Sequence, residues 1–215
     1  MLASTPSAAA GTNIAVSAAA AASGGLRHAR EGRVDGRIVL WMAPPSVAGA
    51  LVGGLLGHRV PERALLGAVA AVLAWQGLDL LVRPFREQPR AEPRIAPAAL
   101  FGLVIGAVGG ALGVILGTLR MPALLRAVGL PAAKAVGTNL VVGFFLGVAG
   151  FAAHAARLEV EWDLLVAGLA GALPGAWLGA RATGRLSEET LRRAIGVALL
   201  AIALAFAVEA ALGRP

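Results

Sequence analysis

Charge is what this sequence has least of. Only 14% of its 215 residues are Asp, Glu, Lys or Arg, against about 25% in an ordinary soluble domain. With 58% hydrophobic residues and a mean hydropathy of +0.77, the composition puts the chain in the membrane class and argues against a soluble enzyme. Cysteine is absent. That excludes a disulfide framework, a thiol nucleophile and a Cys-ligated zinc or iron–sulfur centre. Histidine is scarce, at three residues, and Lys134 is the sole lysine. The stretches between apolar runs are too short to form a soluble domain, and the N-terminus lacks the basic n-region of a signal peptide.

What the chain does have is glycine, 29 residues of it, together with abundant alanine. Small side chains let helix backbones approach in lipid, where no hydrophobic drive brings helices together. The net charge of +7 is carried by arginines scattered in short breaks between apolar runs, a membrane-flanking pattern and not a nucleic-acid patch.

A spanning helix needs about 20 apolar residues, and seven runs qualify: 1–25, 38–57, 64–82, 95–119, 133–156, 164–182 and 191–212. The expected fold is an all-α polytopic membrane protein of about seven transmembrane helices. Lys and Arg number nine on one side of this arrangement and ten on the other, so loop charge sets no orientation.

Shifting the chain by 126 residues against itself lays Gly11-Thr12-Asn13 on Gly137-Thr138-Asn139, His28 on His154, Gly49 on Gly175 and Gly53 on Gly179. From Gly11 to Ala68 there are 15 identities in 58 pairs, where roughly seven are expected by chance for this composition. Four spans separate matched helices, so the copies share an orientation, the parallel-repeat plan of some secondary transporters. The first repeat covers 1–94 with the connecting loop, the second 95–215. The second opens on the glycine-rich run 95–119, whose counterpart would precede Met1. The expectation is a four-plus-four design with its first helix absent, either in fact or through a start codon assigned too far downstream.

The glycine series Gly102, Gly106, Gly109, Gly110, Gly113 and Gly117, then Arg120-Met121-Pro122-Ala123-Leu124, Lys134-Ala135-Val136-Gly137-Thr138-Asn139 and His154-x4-Glu159-Val160-Glu161-Trp162, resembles the sulfite exporter TauE/SafE family. Gly175, Gly179-Ala180-Arg181 and Leu186-Ser187 extend the resemblance. It implies a bacterial inner-membrane permease for small anions: sulfite, sulfonates or sulfur-containing organic acids.

Candidate substrate-binding residues follow, each with a competing structural role. Thr12, Asn13, Thr138 and Asn139 offer hydroxyl and amide donors at the interface the repeats would share, or simply bond between helices. Gly109 and Gly110 belong to a helix broken near Gly117–Pro122 whose freed N–H groups suit an anion, or to ordinary small-residue packing. Arg120 and Lys134 supply positive charge, or snorkel to the headgroups. His28 and His154 suit an interfacial role better than a proton relay or metal site. Asp79 and Glu209 are acids near span ends and weaker candidates. Pro122 and Pro131 predict a break in helix between about Gly117 and Pro131.

The expected function is export or import of a small anion coupled to the proton gradient, without covalent chemistry, cofactor or metal. Its partners are the anion and the bilayer, not nucleic acid, and a homo-oligomer is admitted. The alternatives are a non-transporting membrane assembly partner and, less favoured, a divalent-metal permease built on His28 and His154.

Overall fold

The computed structural model describes residues 6–56, 62–82, 92–112, 117–155 and 161–212, and among these every regular element is helical. Helices α1 (Pro6–Arg30), α2 (Gly36–Leu56) and α3 (Glu62–Val82) precede α4 (Ile95–Leu112). A short α5 (Gly117–Pro122) runs into a π-helical segment, Ala123–Val128, and α6 (Ala132–Ala155), α7 (Trp162–Thr183) and α8 (Glu188–Leu212) complete the chain. The protein is an all-α membrane protein. Segments Ala132–Ala152, Trp162–Thr183 and Glu189–Leu212 are long and apolar enough to cross a bilayer, and Leu66–Val82 and Ile95–Gly110 are shorter apolar helices.

The helix break lies where the prolines and glycines predict it. Of the run 95–119, α4 accounts for Ile95–Leu112, and residues 113–116 lie outside the described residues. Pro122 does not stop the chain's coiling; it sits at the junction of α5 and the π segment. The stop is Gly129, at φ 88°, where a side chain would be strained and glycine is not. Its N–H and that of Leu130 both donate to the Leu124 carbonyl, at 3.1 and 2.9 Å. This broken segment plugs the middle of the bundle: Leu124, Leu125, Val128 and Leu130 are buried against Ile38, Met42, Leu73 and Leu80. Outward-facing Leu40, Trp75, Val82, Leu164, Val166 and Leu204 are more than half exposed, as side chains whose solvent is lipid should be.

The tightest packing joins α2 and α4. A methyl added at Gly49 would overlap the Leu103 carbonyl and one at Gly53 that of Ala107, while one at Gly106 or Gly110 would overlap the carbonyl of Ser46 or Ala50. Two glycine stripes therefore interlock, backbone on backbone, as lipid-embedded helices permit.

The residues paired by the 126-residue offset occupy matching places: α1 with α6, α2 with α7, α3 with α8. The backbone N–H of Asp35, just before α2, donates to Thr138 Oγ1 on α6 at 3.0 Å. The N–H of Glu161, just before α7, donates to Thr12 Oγ1 on α1 at 2.8 Å. Each threonine thus satisfies a donor at the start of the helix that follows the other threonine's own, one of the N-terminal groups a helix leaves without an internal partner.

Candidate functional site

Where α5 begins, its side chains meet α1 and α6 around a cavity of about 230 Å³. Asn13 and Ser17 come from α1, Gly117 and Arg120 from α5, Asn139 and Gly143 from α6. Arg120 has only 1% of its surface exposed. Its Nε donates to Asn139 Oδ1 at 2.8 Å, and Asn139 Nδ2 in turn donates to the Gly117 carbonyl at 3.0 Å. Asn139 therefore holds the guanidinium and the first turn of α5 in register.

The electrostatics of this group are unusual. Arg120 Nη1 is buried without a hydrogen-bond partner, and no carboxylate pairs with Arg120 among the described residues. A buried charge is expensive unless paired and hydrogen-bonded, and here one face of the fork is satisfied by an amide while the remainder is left for something else. Gly143 leaves the space on that side: a Cβ there would lie 3.2 Å from Nη2. A cationic fork, amide and hydroxyl side chains and no acid make a cavity suited to a small oxyanion.

Asn13 and Asn139, paired by the repeat, do line one cavity, Asn13 from its more exposed side. Their threonine neighbours do not: Thr12 and Thr138 are buried and accept the helix-start N–H groups described above. Gly109 and Gly110 are away from the cavity, and Gly110 packs on Ala50. Arg120 does not snorkel, because α5 turns its side chain into the bundle. Lys134 is exposed at the start of α6, outside the cavity lining. Asp79 is buried and ion-paired with Arg126 of the π segment, and Glu209 is exposed. Among the described residues no three His, Asp or Glu side chains gather as a metal site would need; the side chain of His154 lies outside them. Ser17 and Gly143 were not anticipated, yet they are one helical turn beyond Asn13 and Asn139 and are themselves matched by the 126-residue offset.

His28 is fully buried in the last turn of α1, beyond the apolar run that ends at residue 25, and neither ring nitrogen has a partner. Burial first, and the Arg33 charge second, push its pKa from 6.5 down to about 4. The folded state thus resists a proton that the unfolded chain accepts. Stability is complete above pH 6.5 and is expected to fall as pH is lowered from about 6.5 towards 4. Melting temperatures in detergent across this range check it: His28→Leu should flatten that part of the profile, and an unchanged slope would assign the loss to other groups.

A family model described as sulfite exporter TauE/SafE matches residues 1–206. A probable membrane transporter protein of Xylella fastidiosa (strain Temecula1) is 27% identical over 187 residues, covering 83% of this chain and 71% of that protein. One of Bacillus subtilis (strain 168) is 27% identical over 191 residues, covering 86% and 78%. A further one from Xylella fastidiosa (strain 9a5c) is 26% identical over 207 residues, covering 93% and 79%. No solved structure matches.

Proposed function

This chain belongs to the sulfite exporter TauE/SafE family, a family of membrane transporters, and from that membership and the cavity we propose that it carries a small oxyanion across the bacterial inner membrane. The substrate class is sulfite, sulfonates or sulfur-containing organic acids, moved with the proton gradient. The observation that carries this reading is Arg120, buried at 1% exposure with an unpartnered Nη1 beside a cavity and, among the described residues, no acid to neutralise it. An anion entering from the Asn13 side completes the hydrogen bonding of the guanidinium and neutralises its charge. Asn139 orients the fork, while Asn13 and Ser17 offer donors from the opposite wall. Exchange with the two sides of the membrane then requires only that the α1 and α5–α6 walls separate alternately, in the manner of repeat-built transporters.

Asn139→Ala removes the partner of Arg120 Nε and of the Gly117 carbonyl. The guanidinium then loses the group that orients it, and a misaligned charged hydrogen bond to the anion costs about 1.5–3 kcal/mol, or roughly ten- to a hundredfold in affinity. Interhelical hydrogen bonds in membranes average only about 0.6 kcal/mol, so insertion should survive. In proteoliposomes loaded with sulfite and a panel of small organic acids, the variant is expected to insert normally and to transport slowly. Transport at the parental rate would reduce Asn139 to interhelical glue. A parent that moves none of these anions would favour a non-transporting assembly partner.

A further inference from the structure

The contacts between helix ends sort those ends onto two faces of the bundle. At the first face α6 begins beside Asp35, whose N–H donates to Thr138. There too α7 ends, with Arg33 Nη1 donating to the Ala180 carbonyl at 3.1 Å, and α8 begins, with Arg192 donating to the Leu80 carbonyl near the end of α3. At the opposite face α7 begins, beside Thr12. The hairpin formed by α4, α5 and the π segment both starts and finishes at the first face: the N–H of Arg94, next to α4, donates to the carbonyl of Val128 at 3.1 Å, and Val128 closes the π segment just ahead of α6. Helices matched by the 126-residue offset therefore run in opposite directions. On α1 and α6, Gly24 and Gly25 stand against Leu140 and Val141, while Ile14 stands against Gly150. The arm Gly117–Val128 adds a return pass that apolar length alone does not reveal, so the matched halves are inverted and not parallel.

This return pass also redistributes the charge. It brings Arg126 and Lys134 to the first face, where Arg94 already lies. Arg27, Arg30, Arg33 and Arg37 surround the turn from α1 to α2 at that face, and Arg181, Arg185, Arg192 and Arg193 surround the turn from α7 to α8. Among the described residues that makes eleven basic side chains at one face, with Arg63 at the other and Arg120 buried between them. Orientation follows the Lys and Arg of short connections near span ends, which stay on the cytoplasmic side, and acids count for little. Anionic lipids of the cytoplasmic leaflet attract the same groups. We infer that the arginine-rich face is cytoplasmic and lies against that leaflet, so that the hairpin carrying Arg120 enters and leaves the bilayer from the cytoplasmic side. This rests on the bacterial inner-membrane placement proposed above and is independent of the anion carried.

The absence of cysteine makes the test direct, because a single introduced thiol reports one place. Leu186→Cys and Lys134→Cys put it on the arginine-rich face, Ala64→Cys and Asp163→Cys on the opposite one, and all four positions are exposed. Spheroplasts expressing the full chain are treated with a membrane-impermeant maleimide before and after lysis, and each variant is scored against its own labelling in detergent. Ala64→Cys and Asp163→Cys are expected to label fully in intact spheroplasts, Leu186→Cys and Lys134→Cys only after lysis. The reverse pattern, labelling of all four in intact spheroplasts, or of none before lysis, would overturn the orientation. Lys134→Cys labelling together with Ala64→Cys would overturn the hairpin. Labelling does not depend on transport, so a parent that moves no anion would leave this result standing, and a reversed orientation would leave the anion site standing.

Discussion

Arg120→Gln is expected to cut anion flux by a factor of roughly thirty to several thousand without lowering the stability of the protein. Truncating one partner of a buried charge pair costs about 2–5 kcal/mol of binding, and every 1.4 kcal/mol is tenfold. Among the described residues, though, Arg120 has no carboxylate partner, and its Nη1 is unpaired, so the charge is itself a cost of folding. Glutamine keeps a donor for Asn139 Oδ1 and removes the charge. The expected signature is a melting temperature in detergent at or above the parental value, together with lost uptake in proteoliposomes. A residue that merely supported the fold would behave in the opposite way, and a melting temperature lowered in step with the flux would assign Arg120 to structure.

A large loss of stability is expected at Gly106. A side chain there has no room, because its Cβ would overlap the Ser46 backbone carbonyl and not a movable side-chain tip. Overpacking costs about 1–3 kcal/mol when neighbours can shift, and backbone cannot shift without parting α2 from α4. Gly106→Leu is therefore expected to cost more than about 3 kcal/mol and to appear as aggregated or proteolysed protein in size-exclusion chromatography. Gly175→Leu, at the position the offset pairs with Gly49 and where a Cβ meets nothing within 4 Å among the described residues, should leave the protomer's melting temperature near the parental one. Similar behaviour of the two variants would contradict the packing asymmetry between α2 and α7.

The sequence made the helices legible because a lipid-facing helix must be apolar along its length: the run 38–57 reappears as Gly36–Leu56 and 191–212 within Glu188–Leu212. The 126-residue self-match made part of the site legible as well. It singled out Asn13 and Asn139, which line one cavity, but not Ser17 and Gly143, which the same offset pairs without identity. What it did not separate were neighbours on the same triplet. Thr138 and Asn139 differ by 100° around α6, enough to send one to the N–H of Asp35 and the other to Arg120. Which direction faces the cavity depends on where α5 lies, and that is a tertiary fact. The same holds for Arg120. An arginine at the end of an apolar run ordinarily snorkels, and only the turn of α5 and the π segment back into the bundle buries it. Gly109 and Gly110 were ambiguous for a different reason: close packing and anion binding both select glycine, and at Gly110 the structure shows the packing.

Binding at the Arg120 cavity is most directly tested by the shift in melting temperature of the detergent-solubilised protein on adding sulfite, a sulfonate or a small sulfur-containing organic acid at fixed pH and ionic strength. A ligand that binds only the folded state adds about 2.7 kcal/mol of stability at a hundred times its Kd. The parent is expected to be stabilised by at least one of these anions, with chloride added to equal ionic strength giving no comparable shift, and Arg120→Gln is expected to lose the stabilisation. No shift with any of them in the parent, or the same shift in Arg120→Gln, would contradict the assignment of this cavity as the anion site.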